Sequence, residues 1–359
     1  MKMQRHETML NLRETPREKN GTWTGVYSHL AGDKIYYRLD NPSAICFAKK
    51  NSNVFIKPEN NTVLVNSLAI ENFRVFIDTN PRTPPGEKYK AIGGYHAGPS
   101  HPLLRDCQVS KGAKLFNVPS PCWPLEERLI FGDDFHHPYH ANGYYVFKSE
   151  DGIKWSLYHD KPVLSNLTKC ESGIIGSDNM PSIFYDENIQ EYVAYLRSNE
   201  ALGVRHVFYI KSKDLISWSV PKLITKDPGF DFENENLYFM GAYPLSSKKG
   251  YIAFSHFFRN EILTPDGSQR KYFDKKTLIM TSKDGVHWKE AGSIFSQDPE
   301  SVKESRESGC VSSMATHMGP PHVVSFSEDP SVYTLCVLEG IQTPLTRLVR
   351  YTINKGEIK

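Results

Sequence analysis

The chain reads as all-β, a five-bladed β-propeller with four-stranded antiparallel blades, for three reasons. One kind of hairpin recurs as SEDGIKW from Ser149, SKDLISW from Ser212 and SKDGVHW from Ser282, each behind a strand-like run: YYVFK, VFYIK and TLIMT. The tryptophans Trp155, Trp218 and Trp288 stand 63 and 70 residues apart, a period that suits one four-stranded blade with generous loops. Hydrophobic residues make up 39% with 19 Tyr and 19 Phe, a profile that favours pleated strands, and no long Ala/Leu/Glu-rich helical window competes.

The blades follow in order. Blade I takes GVYSHLA, KIYYRL, SAICFA and NVFIKP, with KKNSNVF around Asn51 and Phe55 as a degenerate copy of the turn. Blade II takes FRVFID, YKAIGGYH, GYYVFKS and IKWSLY; blade III takes PSIFYD, EYVAYLRS, RHVFYIKS and ISWSVPKLI; blade IV takes FMGAYPL, GYIAFSHFF, TLIMTS and VHWKEAG. Blade V has VVSFS, SVYTLCVLE and RLVRYTI and then the sequence stops. An open strand edge is an aggregation hazard, so the fourth strand is expected from residues 1 to 12. One domain over 1–359 is expected, with a long insertion at about 97–140 inside blade II. Trp123, two cysteines and HHPYH make that insertion unlike a disordered tract.

In the repeated hairpin Gly accepts positive φ and Asp bonds the backbone two residues on. An active site needs one asymmetric set of groups, whereas this motif recurs, so Asp151, Asp214 and Asp284 are assigned to structure.

Charge is nearly balanced, with 43 Lys plus Arg against 41 Asp plus Glu and no basic stripe, which argues against nucleic acid as a partner. No stretch approaches the ~20 apolar residues of a membrane span, and MKMQRHETMLNLRETPREKN has no apolar signal-peptide core. Six scattered cysteines show no CxxC pair. A soluble, intracellular chain with reduced thiols is the expectation.

The succession PREKNGTWTGVY, FIDTNPRTPPGEKYKAIGG, FKSEDGIKW, SDNMPSIFYD with EYVAYLR, ENLYFMGAYPL and RLVRYTI resembles a glycosidase-like branch of the propeller proteins related to glycosyl hydrolase families 32 and 43. The resemblance runs over nearly the whole chain in consistent order. It implies a five-bladed propeller whose innermost strands line a funnel, with carboxylates near their starts acting on a glycosidic bond. The Asn-Asp-Pro-Asn-Gly, Arg-Asp-Pro and Glu-Cys signatures of the fructosidase branch are absent.

Glycoside hydrolysis usually takes two carboxylates, one donating a proton to the leaving oxygen and one acting as base or nucleophile. Just ahead of the inner strands stand Asp178 in GSDNMPSIFYD, Glu235 with Glu233 in FENENLYFMG, Glu18 in PREKNG and Glu71 in IENFRVFID. Asp178 is expected as base or nucleophile. Glu235 is expected as general acid, because burial beside Tyr238 and Phe239 disfavours a charged carboxyl. Glu18 is the third, orienting candidate. The plainer alternatives are an Asp that satisfies loop amides and two solvated surface acids.

Arg197, at the end of EYVAYLRS, is a candidate for bridging a carboxylate or a sugar hydroxyl, with an ordinary salt bridge as its alternative. Trp23 and Tyr27 are candidates for stacking a sugar ring, with core packing as theirs. His256 and Arg259 are held as rim contacts.

GDDFHHPYH puts Asp133, Asp134, His136, His137 and His140 within eight residues. Pro138 argues against a helix, and no HExxH accompanies it. The stretch is read as a funnel-mouth loop in which His136 and His137 bind substrate. Asp133, Asp134 and His140 stand as the metal alternative; no cofactor is required, and a structural divalent cation stays open.

There is no phosphate loop, G-x-S-x-G elbow or kinase set. The expected function is hydrolysis of a glycosidic bond in an oligo- or polysaccharide. The alternatives are a non-catalytic carbohydrate-binding propeller and a protein-interaction propeller using the 97–140 insertion.

Overall fold

The structure, a computed structural model, describes residues 3–19, 28–39, 44–65, 72–95, 143–159, 162–165, 167–170, 173–176, 180–199, 205–231, 234–245, 250–262, 270–294, 322–323, 331–339 and 346–358. The chain opens with β1 (Met3–Asn11) and the one-turn helix α1 (Pro16–Lys19). Blade I is β2 (His29–Ala31), β3 (Lys34–Leu39), β4 (Ala44–Asn51) and β5 (Val54–Ile56), with β6 (Thr62–Val65) also pairing β4. Blade II is β7 (Arg74–Ile77), β8 (Tyr89–Tyr95), β9 (Gly143–Ser149) and β10 (Ser156–Leu157), with β11 (Leu164–Ser165) on β9.

The hairpin β12 (Leu167–Cys170) and β13 (Gly173–Gly176) leads to blade III: β14 (Ser182–Asp186), β15 (Glu191–Asn199), β16 (Arg205–Ser212) and β17 (Lys222–Leu223). In blade IV, β18 (Thr225–Asp227) joins the outer edge parallel to β22, after β19 (Glu235–Pro244), β20 (Tyr251–Ile262), β21 (Arg270–Ser282) and β22 (His287–Ile294). Blade V is β23 (His322–Val323), β24 (Val332–Glu339), β25 (Arg347–Asn354) and, outermost, β1. The first strands meet in sequence, β2 against β7, β7 against β14 and β14 against β19.

Side chains alternate across a strand, and here both faces of each blade are buried, so neighbouring residues serve different seams. On β9, Tyr145 and Phe147 join the cluster between blades I and II, while Tyr144 and Val146 join the one between blades II and III. Similarly, Val193 and Tyr195 on β15 face blade IV, and Tyr192, Ala194 and Leu196 face blade II. Two-sided burial explains why these strands read as unbroken apolar runs. Two further clusters fill the seams between blades IV and V and between V and I.

The last seam closes the ring through the N-terminus, as the missing strand predicts. β1 pairs β25 antiparallel, Met3 opposite Ile353 and Asn11 opposite Arg347, and its Met9, Leu10 and Leu12 pack with Ile35, Tyr37 and Cys46 of blade I. The clasp is also tied electrostatically. Buried Glu339 accepts Arg5 Nε at 2.9 Å, Arg5 Nη2 at 2.9 Å, Arg347 Nε at 3.0 Å and the Tyr351 hydroxyl at 2.5 Å.

The repeated hairpin is a backbone staple. Asp284 Oδ1 accepts the amides of Val286 (2.9 Å) and His287 (2.8 Å), and Ser282 Oγ accepts that of Gly285 (2.9 Å); Asp151 and Asp214 repeat the pattern. Trp288 then fills the seam between blades III and IV, ring to ring with Tyr195 at 5.9 Å and Tyr251 at 6.4 Å.

A second repeated tie joins consecutive blades at the same end as these hairpins, where Tyr89 lies opposite Ser149 and Tyr192 opposite Ser212. An acid after or at the end of a first strand receives a tyrosine hydroxyl from the start of the next blade's second strand: Tyr89 to Asp33 at 3.4 Å, Tyr192 to Asp78 at 3.0 Å, and Tyr251 to Asp186. Asp78 and Asp186 are buried, and buried carboxylates need such donors.

Residues 97–140 lie outside the described residues. Tyr95 and Gly143 are paired opposite each other, so the connection between β8 and β9 departs and returns at the end of the blade where the first strands begin.

Candidate functional site

Among the described residues, blade IV reaches beyond blade III at the end where first strands begin. Strands β19, β20 and β21 run 10, 12 and 13 residues, against five in β14. Ser182, at the head of β14, bonds the backbone of Ala242 near the foot of β19, at 3.1 Å to N and 3.2 Å to O. Glu235 therefore stands roughly 20 Å further along the strand, at ~3.3 Å per residue.

Two irregularities shape this wall. Pairing slips between Leu237 and Phe239 on β19, and between Phe257 and Arg259 where β20 meets β21. Bulges of this kind re-aim side chains. The residue left over on β19 is Tyr238, and polar and aromatic groups from three strands converge on its ring. Arg197 Cζ lies 4.3 Å from the centroid and Arg205 Cζ 5.2 Å, while His256 and Phe258 stand at 5.7 and 5.9 Å. A guanidinium over an aromatic face contributes about 0.5–2 kcal/mol, more where water is excluded, and Arg197 is buried.

Glu235 heads the same strand and is buried at 5% exposure. Arg259 Nη2 donates to its Oε1 at 2.7 Å, Lys226 Nζ stands 3.7 Å from Oε2, and the Asp231 amide reaches Oε2 at 3.3 Å. The carboxylate thus faces two cations instead of the apolar flank of Tyr238 and Phe239 on which its expected role as acid rested. In return it strengthens the hold of the Arg259 guanidinium on its proton. The parallel strand β18 delivers Lys226, which also lies 3.6 Å from Glu290 and 5.3 Å over the Phe230 ring.

Four of the expected residues, Glu235, Arg259, Arg197 and His256, therefore come together around the β19 bulge. Glu18 does not join them. Its Oε2 accepts the amides of Glu14 and Thr15, each at 3.0 Å, and Lys57 stands 2.9 Å from Oε1. With the Glu18 amide donating to Thr15 Oγ1 at 3.3 Å, this is a capping box that seats α1 on blade I. Burial works to raise its carboxyl, but the Thr15 amide and Lys57 prevail and hold it below its ordinary value. Asp178, Trp23, Tyr27, His136, His137, Asp133, Asp134 and His140 lie outside the described residues. Among the described residues no group of three or more His, Cys, Asp or Glu is set to hold a metal ion.

Tyr238, Arg205 and Lys226 are members of the site that motif reading misses. No motif marks them, since apolar runs like Leu237-Tyr238-Phe239 stand in the neighbouring strands as well.

No protein-family model and no curated protein sequence matches the chain. Its fold is nonetheless a five-bladed β-propeller, which solved structures share at low sequence identity. An N-acetylgalactosamine deacetylase from F. plautii, solved with blood group B trisaccharide, aligns at TM-score 0.50 and 10% identity, covering 99% of this chain and 96% of that one. The α-L-arabinofuranosidase Arb93A from Fusarium graminearum aligns at 0.49 and 11% over 99% of each chain. A thermostable family-43 glycoside hydrolase aligns at 0.48 and 13%, over 92% and 90%. Among the described residues no helix is long and apolar enough to cross a membrane.

Proposed function

We propose that this chain is a glycosidase-like protein that takes an oligo- or polysaccharide at the end of blades III and IV where first strands begin and hydrolyses a glycosidic bond there. The observation that carries the reading is the buried Glu235, heading an innermost strand beside a tyrosine flanked by two guanidinium groups. A flat aromatic edge with fixed hydrogen-bond donors suits a sugar, which offers apolar C–H faces and a rim of hydroxyls. The fold likeness to a protein solved with a blood-group trisaccharide supports the carbohydrate class. In this reading Asp178 is base or nucleophile and Glu235 the acid, with Arg197 and His256 as substrate contacts.

Because Arg259 and Lys226 occupy the faces of Glu235, proton donation requires Arg259 to let go when substrate enters. That pairing favours one rival specifically: a carbohydrate-binding propeller without hydrolysis, in which Glu235 is a fixed acceptor for sugar hydroxyls. A panel of aryl glycosides and polysaccharides separates the two. Hydrolysis predicts sugar release by the wild type and a loss of about 10²–10⁴-fold in Glu235→Gln and Asp178→Asn, the range for removing an acid or base. Glycan binding with no release by any form supports the binding module, and neither binding nor release would sink both.

A further inference from the structure

The segment DTNPRTPPGEKY, between β7 and β8, has no part in that site. It lies at the other end of the blades, where first strands finish, and builds one wall of a cavity of about 280 Å³. Blade III supplies the other wall through Lys213 and Asp214 of the repeated hairpin, and Tyr158 and Tyr192 also line the space.

The charges in this cavity are unequal in their commitments. Each acid is hydrogen-bonded, but only Asp78 and Glu87 are paired with cations. Asp78, behind the wall, takes Lys90 at 3.3 Å, Tyr192 at 3.0 Å, Thr83 at 2.7 Å and the Asn80 amide at 3.0 Å. Glu87 takes Lys90 at 3.1 Å and Lys148 at 2.8 Å. Asp214 takes the amides of Ile216 at 2.8 Å and Ser217 at 2.7 Å. The two remaining cations, Arg82 from blade II and Lys213 from blade III, are exposed, and among the described residues neither side chain has an ion pair or hydrogen bond. Against these two cations stands only the unpaired carboxylate of Asp214, so the uncommitted charge in the cavity is net positive, and its cations come from both sides of the seam.

We propose that this seam pocket binds a phosphate group, either inorganic phosphate or the phosphate of a small sugar ester. Two cations from opposite walls match a dianion better than a carboxylate's single charge, and a guanidinium fork suits phosphate oxygens in particular. The volume is just under the ~300 Å³ at which drug-sized sites begin, which limits the ligand to monosaccharide size. Tyr158 offers a ring for its body.

The test is calorimetric titration with inorganic phosphate, glucose 6-phosphate and glucose, at two salt concentrations. Inorganic phosphate should bind, more weakly at higher salt, and Arg82→Gln/Lys213→Gln should weaken it at least tenfold with an unchanged thermal midpoint, both side chains being exposed. Glu235→Gln should bind phosphate as the wild type does, which separates this pocket from the glycan site. Tighter binding of glucose 6-phosphate than of inorganic phosphate identifies the ester as ligand, and the reverse identifies the free ion. The proposal is overturned if the double variant binds like the wild type, if Glu235→Gln is the form that loses binding, or if glucose binds as well as its phosphate.

Discussion

Gly152 and Leu215 hold the same place in successive copies of one hairpin and meet its demand differently. Both have left-handed backbone, φ +73° and +65°. At Gly152 a Cβ would lie 2.4 Å from the Tyr36 hydroxyl, which donates to the Gly152 carbonyl at 2.9 Å. Leu215 instead sends a fully buried side chain into the seam beside Ile92 and Ile210. Gly152→Ala should therefore destabilise by about 2–3 kcal/mol through clash and φ strain. Leu215→Gly should also destabilise, by about 2–4 kcal/mol, since the lost core packing outweighs the ~1 kcal/mol of strain released. Denaturant midpoints at unchanged slope check both; a stabilised Leu215→Gly would mean the backbone strain dominates. The Asp and Gly of this turn announce themselves in sequence because local geometry alone dictates them. Tyr238 does not, because its orientation depends on how β19 slips against β20, a pairing that no single segment encodes.

The N-terminal strand shows the same division among elements. That blade V lacks a strand is readable from counting alternating runs, and Met9, Leu10 and Leu12 are the apolar residues that a closing strand needs. The lock itself is not readable, because Arg5 meets Glu339, Arg347 and Tyr351 from the opposite end of the sequence, 334 residues from Glu339. Burial pushes the Glu339 carboxyl up, but bonds from Arg5, Tyr351 and Arg347 outweigh it, and the carboxyl sits below its ordinary value. A carboxyl depressed by folding contributes stability that is present above its unfolded value, near ~4, and is lost as pH falls through the folded one. Acid should thus loosen the clasp. Glu339→Gln should cost about 2 kcal/mol at neutral pH, discounted for the partial exposure of both arginines, and should flatten the acid limb of a midpoint-against-pH curve. An unchanged acid limb would show that the clasp is held by its apolar seam alone.

Over the whole molecule, the five seams divide alternating residues between neighbours, and three of them add a turn that staples its own backbone and a tyrosine bonded to the preceding blade's acid. The blades expected from the sequence match the observed sheets because burial on both faces writes each strand as an apolar run. What stays hidden is height. That β19 reaches beyond the described head of β14 follows from the level at which Ser182 meets Ala242, and Arg197, Glu235, His256 and Arg259 gather here from three strands. Glu18, equally acidic and equally close to a predicted inner strand, is instead spent on a helix cap. In the proposed function a glycan engages this wall. Hydrogen exchange, with and without a saccharide that the panel returns as bound, tests it most directly. Slowed exchange at Glu235–Phe239 and His256–Arg259, with none at residues 78–90, is the result expected; protection confined to other segments would contradict it.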